Sequence, residues 1–213
     1  MGVWYTEPMC DTAFSEEQMI IIGATGRNKG KTVLAEELIR LFKDRFPVVG
    51  LKVTTVAHAG GACPRGGKGC GACVIDEKYA LMEELESGAA ALPPGCSTKD
   101  TVRLLHAGAE RVFWLRVLRS ALDEGYAAVL EKIPPKTLII GESNSLREVV
   151  RPGCFIMVSS GPGEQVKPSA ARVVDLAQIT LESPITTDGL QKLMEKIIVE
   201  HTADGQVRVR VAG

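Results

Sequence analysis

Between Met19 and Leu41 the sequence reads MIIIGATGRNKGKTVLAEELIRL, and its hydrophobic period changes across a glycine-rich turn. Met19 to Ile22 is an unbroken apolar run, as expected of a strand buried on both faces. Gly23, Gly26 and Gly30 punctuate the turn. From Lys31 onward, Val33, Leu34, Leu38, Ile39, Leu41 and Phe42 recur with the spacing of a helix face. A strand that enters a helix through so short a turn commits the chain to a layered α/β arrangement.

The same turn has the chemistry of a phosphate-binding loop. Tightly turned backbone presents several N–H donors, and the helix N-terminus adds a partial positive charge. Glycine is needed where a Cβ would block the approach of an anion or where φ is positive. Within Gly26, Arg27, Asn28, Lys29, Gly30, Lys31, Thr32 and Val33, the Lys31 ammonium is placed to reach β- and γ-phosphates and the Thr32 hydroxyl to ligate Mg2+. The expected ligand is ATP or GTP with magnesium. The commonest spacing of such loops, G-x-x-x-x-G-K-[ST], would put its first glycine where this chain has Thr25, so the loop is displaced or altered.

The 213 residues are 45% hydrophobic and 24% charged, enough for one globular domain with a substantial core. A net charge of −1 and the lack of a basic block argue against nucleic acid as a partner. No apolar stretch approaches the roughly 20 residues of a membrane span. The first 18 residues lack the basic-then-apolar order of a signal peptide and read as a tail or an added edge element. The expectation is a cytoplasmic protein whose six cysteines are thiols or metal ligands rather than disulfides.

Strand and helix patterns alternate along the rest of the chain. Strands are expected at 19–23, 48–54, 111–117, 137–140, 154–158, within 173–181 and, as a final edge strand, at 206–211. Helices are expected at 31–45, 76–87, 100–107, 120–132, 144–150 and 188–200. This order predicts an α/β fold, a mostly parallel β-sheet with helices on both faces, as a single domain over 19–213 with a Cys- and Gly-rich loop at 55–75.

Three further constellations carry chemistry. Leu138-Ile139-Ile140-Gly141-Glu142 ends an apolar strand on a carboxylate, where it can hold magnesium through water or orient a nucleophile. The polar residues after it, Ser143, Asn144 and Ser145, read chiefly as helix caps. Cys63, Cys70 and Cys73 form C-x6-C-x2-C among glycines, a metal-site pattern equally suited to Zn2+ or an iron–sulfur cluster. His58 and Cys96 are the candidate fourth ligands; Cys10 and Cys154 are weaker ones, Cys154 reading as a core residue. Arg65 and Lys68 make that loop locally basic. Finally, Lys99, Asp100, Thr101 and Arg103 gather polar groups at one short helix, and Lys52 interrupts an apolar strand, where it either snorkels or reaches phosphate.

Taken together these segments resemble the molybdopterin-guanine dinucleotide biosynthesis protein B family, of the SIMIBI class of P-loop NTPases. The likeness lies in Gly23-Ala-Thr-Gly-Arg-Asn-Lys-Gly30-Lys31-Thr32-Val-Leu, in Lys52 and His58, in Lys99-Asp100-Thr101-x-Arg103-x-x-x-Ala107-Gly108-Ala109 and in Glu142, over about residues 19–160. The Cys63–Cys73 loop is no part of that family's pattern, and its Glu-Gly at the strand end is here Glu142-Ser143. The resemblance implies a P-loop ATP or GTP hydrolase acting as an accessory factor in maturation or delivery of a molybdopterin-type metal cofactor, with a cofactor intermediate or a cofactor-receiving enzyme as partner, and a homodimer. Lys31, Glu142 and Asp100 would be its catalytic residues. Two other readings stand beside it: a small-molecule kinase or ATP-dependent ligase, since the loop is also similar to the shorter one of the Mur ligases, and a non-catalytic scaffold that binds metal and nucleotide.

Overall fold

The computed structural model describes residues 12–56, 75–85, 99–161, 163 and 165–212. Its centre is β1 (Phe14–Ala24), followed by α1 (Lys31–Phe42) and β2 (Val48–Val56). Next come β3 (Tyr79–Glu84), α2 (Asp100–Ala107), β4 (Arg111–Leu118), α3 (Leu122–Leu130) and β5 (Leu138–Glu142). The remainder is β6 (Val150–Ser159), the short α4 (Pro168–Ala171), β7 (Ile179–Glu182), α5 (Thr187–Lys196) and the strands β8 (Ile197–His201) and β9 (Val207–Val211).

Seven strands form one sheet in the order β3-β4-β2-β5-β1-β6-β7. All neighbours run parallel except β3, which lies antiparallel on β4. Alternate side chains of β1 feed two separate cores. Ile20, Ile22 and Ala24 join Leu34, Leu38 and Phe42 of α1, Leu104 of α2 and Leu193 of α5. Met19 and Ile21 join Tyr126 and Val129 of α3 on the opposite face. Double-sided burial explains why β1, β5 and β6 are apolar without alternation. Helices therefore cover both faces, as the sequence predicts.

The chain passes from β1 over α1 to β2, leaving a gap that β5 fills later. After β5 it crosses to the other side of β1 as β6 and β7. Crevices at such a reversal, beyond the carboxyl ends of the strands, are where open α/β sheets bind ligands. β1, β2 and β5 all end on this rim.

Several elements differ from expectation. Of the expected 76–87 helix, the described residues 76–85 are no helix: Tyr79 to Glu84 pair with Val112 to Val117 as an antiparallel edge. Its apolar residues fit either period over so short a run, and pairing on β4, with Tyr79 and Leu81 packed on the α3 side, decides it. The last helix stops at Lys196, four residues before the expected end, because β-branched Ile197, Ile198 and Val199 continue as a strand. Its partner β9 is not an edge of the main sheet; β8 and β9 form a separate hairpin with Val199, Val207 and Val209 buried. Over 173–181 only Ile179 onward is strand, after a 3-10 turn at Val174–Leu176. A 3-10 turn at Ser145–Glu148 stands where a short helix was expected. β1 begins at Phe14, inside the segment read as a tail or edge, and Phe14 to Glu16 pair with Val150 to Pro152.

Candidate functional site

β1 leaves the sheet at Ala24 and the chain turns through Thr25 to Gly30 into α1. The left-handed positions of this turn fall at Asn28 (φ 55°) and Gly30 (φ 87°). Position 25 is instead anchored to β6: the Thr25 amide donates to the Val158 carbonyl at 2.9 Å, and its hydroxyl to the same oxygen at 3.3 Å. A glycine is therefore not required where the usual spacing puts one. Asn144 fixes the other side, its Oδ1 accepting from the Ala24 amide at 2.8 Å and its Nδ2 donating to the Ala24 carbonyl at 3.0 Å. Gly23 allows this approach, for a Cβ there would lie 2.9 Å from Asn144 Oδ1 and 3.0 Å from the Phe155 ring.

A cleft of about 860 Å³ opens over the turn. Its lining includes Arg27 through Val33, together with Lys52, Asp100, Arg103, Glu142 and Lys167. Of the residues picked out as phosphate-contacting, only Gly26 is not part of the lining. The α1 N-terminus carries no side-chain cap and no acidic residue in its first turn. Its positive dipole end is left to whatever occupies the cleft.

Glu142 ends β5 opposite Ile22 of β1 and Lys52 of β2. It is 4% exposed, and the Thr32 hydroxyl donates to its Oε2 at 3.2 Å. Its Oε1 is buried without a hydrogen-bond partner. Burial raises the Glu142 pKa, while Lys52, Lys31, the Thr32 hydroxyl and Arg103 pull the other way. Asp100, at the start of α2, forms an ion pair with Lys52. Arg103 is held bidentate by Glu36 of α1, at 2.7 and 2.9 Å, which ties α2 to α1 beside the cleft.

The donors fit magnesium. A hard cation takes oxygen ligands, keeps several waters and uses one or two carboxylates plus substrate phosphates rather than an all-protein cage. Thr32 and the orphaned Glu142 oxygen supply such a partial set. Among the described residues no three His, Cys, Asp or Glu side chains gather as a metal site. His58, Cys63, Cys70, Cys73 and Cys96 lie outside the described residues. Cys154 is fully buried in β6, its thiol pushed up to about 12 by burial, which fits its reading as core.

The residues read as caps have divided roles. Ser143 accepts from the Leu146 amide at 3.1 Å, Asn144 holds the loop, and Ser145 meets Thr55 at 2.9 Å. Five lining residues, Val53, Thr54, Thr55, Lys167 and Ser169, were not singled out from the sequence. The Lys167 amide donates to the Thr25 carbonyl at 2.9 Å, bringing the segment after β6 back over the loop. Burial and then the charges of Lys31 and Arg27 push the Lys167 pKa down to about 8. The available signal was position: a Lys-Pro-Ser run shortly after an apolar strand that neighbours β1.

No protein-family model matches the chain, and no curated protein matches it. Among the described residues, no helix is long and apolar enough to cross a membrane.

Two outcomes follow from this geometry. Replacing Asn144 with Ala strands the amide and carbonyl of Ala24 in a buried position, which should cost about 1–3 kcal/mol in urea unfolding. Burial and its cationic neighbours depress the Lys167 pKa, and a bound anion favours its charged form. Affinity for inorganic tripolyphosphate is thus fullest below pH 8 and falls as pH rises through 8, by at most about tenfold per pH unit for one proton. Calorimetry across pH 7–10 should show this fall in the wild type and a flatter profile in Lys167→Gln.

Proposed function

We propose that the cleft binds the polyphosphate of ATP or GTP with magnesium, and that the protein is a P-loop nucleoside triphosphatase. The observation that carries this reading is the meeting of an uncapped helix N-terminus, the cationic side chains of Arg27, Lys31 and Lys167, and a buried carboxylate oxygen without a partner. The first two suit phosphate oxygens and the third suits a divalent cation. The sheet order, with β5 and its terminal Glu142 directly beside β1, agrees with a P-loop NTPase of the SIMIBI kind.

In this reading the first-turn amides of α1 and the Lys31 ammonium bind the β- and γ-phosphates. Lys31 stabilises charge as it shifts toward the leaving oxygen. Thr32 and Glu142 hold magnesium, which when bound neutralises phosphate charge. Glu142 also orders the water that attacks. Lys167 closes on the phosphates from the β6 side. Lys52, paired with Asp100, stands behind the terminal phosphate.

The physiological role we propose is that of an accessory factor in maturation or delivery of a molybdopterin-type metal cofactor. It is supported by the ordered resemblance of the loop, Lys52, the Lys99–Ala109 segment and Glu142, and by the way the fold brings Lys52, Asp100, Arg103 and Glu142 to one cleft. The Cys63–Cys73 pattern would add a zinc or iron–sulfur centre in the connection after β2.

Lys31→Ala should weaken MgADP or MgGDP binding by about 10- to 100-fold, the loss of one charged hydrogen-bonding group, and leave the metal content of the purified protein unchanged. Glu142→Gln should lower turnover more than nucleotide affinity. Calorimetry, phosphate release and elemental analysis on the same preparations check both. Undiminished nucleotide binding by Lys31→Ala would remove the lysine from its assigned role.

A further inference from the structure

The cleft extends beyond what three phosphates and a cation need. Past Glu142 it runs over the carboxyl ends of β2 and β5, lined by Lys52, Thr54, Thr55, Asp100, Ser143 and Ser145. This end is set off from the loop, because β5 separates β2 from β1. The Thr55 and Ser145 hydroxyls meet at 2.9 Å, and Thr54 Oγ1 accepts from the Trp114 indole at 3.0 Å. Among the described residues no aromatic ring lines the cleft.

We infer that this end seats a second substrate bearing a hydroxyl group, so that the terminal phosphoryl group passes to an organic acceptor. The inference rests on the nucleotide reading of the loop end. Thr55 and Ser145 can each donate and accept, the pattern that recognises another hydroxyl. Lys52 lies in register with Glu142 and pairs with Asp100, which brings Asp100 into the cleft beside them as the group to take the acceptor proton.

The step balances without a further reactant. The acceptor oxygen bonds to the terminal phosphorus, and the bond from that phosphorus to the β–γ bridging oxygen breaks. The electron pair leaves with the nucleoside diphosphate. The acceptor proton passes to the Asp100 carboxylate, which pairs with Lys52.

The test uses the full chain with magnesium and γ-32P-labelled ATP or GTP, with and without a deproteinised small-molecule extract of the cells that make it. Chromatography separates labelled organic phosphate from orthophosphate, and MgADP and MgGDP affinities are measured in parallel. The expected result is a labelled organic phosphate that appears only with the extract. Thr55→Val with Ser145→Ala should lower the ratio of organic phosphate to orthophosphate by about tenfold or more, and Asp100→Asn should lower it similarly. Orthophosphate alone, at one rate with and without extract, from protein that binds the nucleotide would overturn the acceptor end and leave the nucleotide reading standing. Failure of the wild type to bind either nucleotide would remove both.

Discussion

The Asn144 side chain holds the point where β1 gives way to the loop. Two of its hydrogen bonds go to the backbone of Ala24, the last residue of β1, from a position just past the end of β5, and its Nδ2 also donates to Ser169 Oγ at 3.4 Å. A strand that ends against a glycine-rich turn loses its ladder partners abruptly, and its final amide and carbonyl need others. Asn144 supplies both with one side chain, Thr25 is tied to Val158 on the other flank, and Lys167 closes over the Thr25 carbonyl. The turn is thus pinned by its neighbours in the sheet, which leaves its inner surface to a ligand. Fixed amides need little reorganisation when an anion arrives.

The same neighbours set the electrostatics. Glu142 is buried at the end of β5 because β5 lies between β1 and β2 and α1 covers that face. Burial alone would favour its neutral form. Lys31, Lys52 and Arg103 oppose this, and each is set by a different element: α1, β2 and α2. The carboxylate and the cations therefore hold one another. A polyphosphate with a divalent cation inserts an anion beside the lysines and a cation beside the carboxylate, so it improves both environments together. Neither charge alone would do so, which makes a metal–polyphosphate pair a better match than free phosphate.

Much of this was legible in the chain because it is local. The strand–loop–helix unit announces itself through one change of period, and α2 is bounded by Asp100 and by Gly108, which sits in the left-handed region after it. Glu142 was legible from its place after Leu138–Ile140. What was not legible depends on distant partners. The helix pattern of 76–87 yields to antiparallel pairing on β4, a contact made only once β4 exists. Ile197 to Val199 continue the apolar spacing of α5, yet their β-branched side chains find a partner in β9. Lys167 carries only a faint local mark, the Lys-Pro-Ser run after an apolar strand. It becomes a site residue because its amide bonds to Thr25, far away in sequence.

The placement of the polar groups at the β2 end bears on what the cleft is for. A site that only releases phosphate to water needs the loop, the carboxylate and the cation, all of which lie at the β1–β5 boundary. Thr54, Thr55 and Lys52 sit one strand further away, on a strand otherwise composed of buried Val, Leu and Gly50. Polar side chains at such positions lose packing and must find partners, as Thr54 does with Trp114 and Thr55 with Ser145. Helix α2 is held over the same end by Arg103 with Glu36 and by Thr101 with Glu84 at 2.8 Å. Those ties fix Asp100, and through it Lys52, relative to the loop. Apolar contacts such as those of Leu104 would suffice to hold α2 in place, so the polar rim is what a ligand reaching past the phosphates, as inferred above, would use.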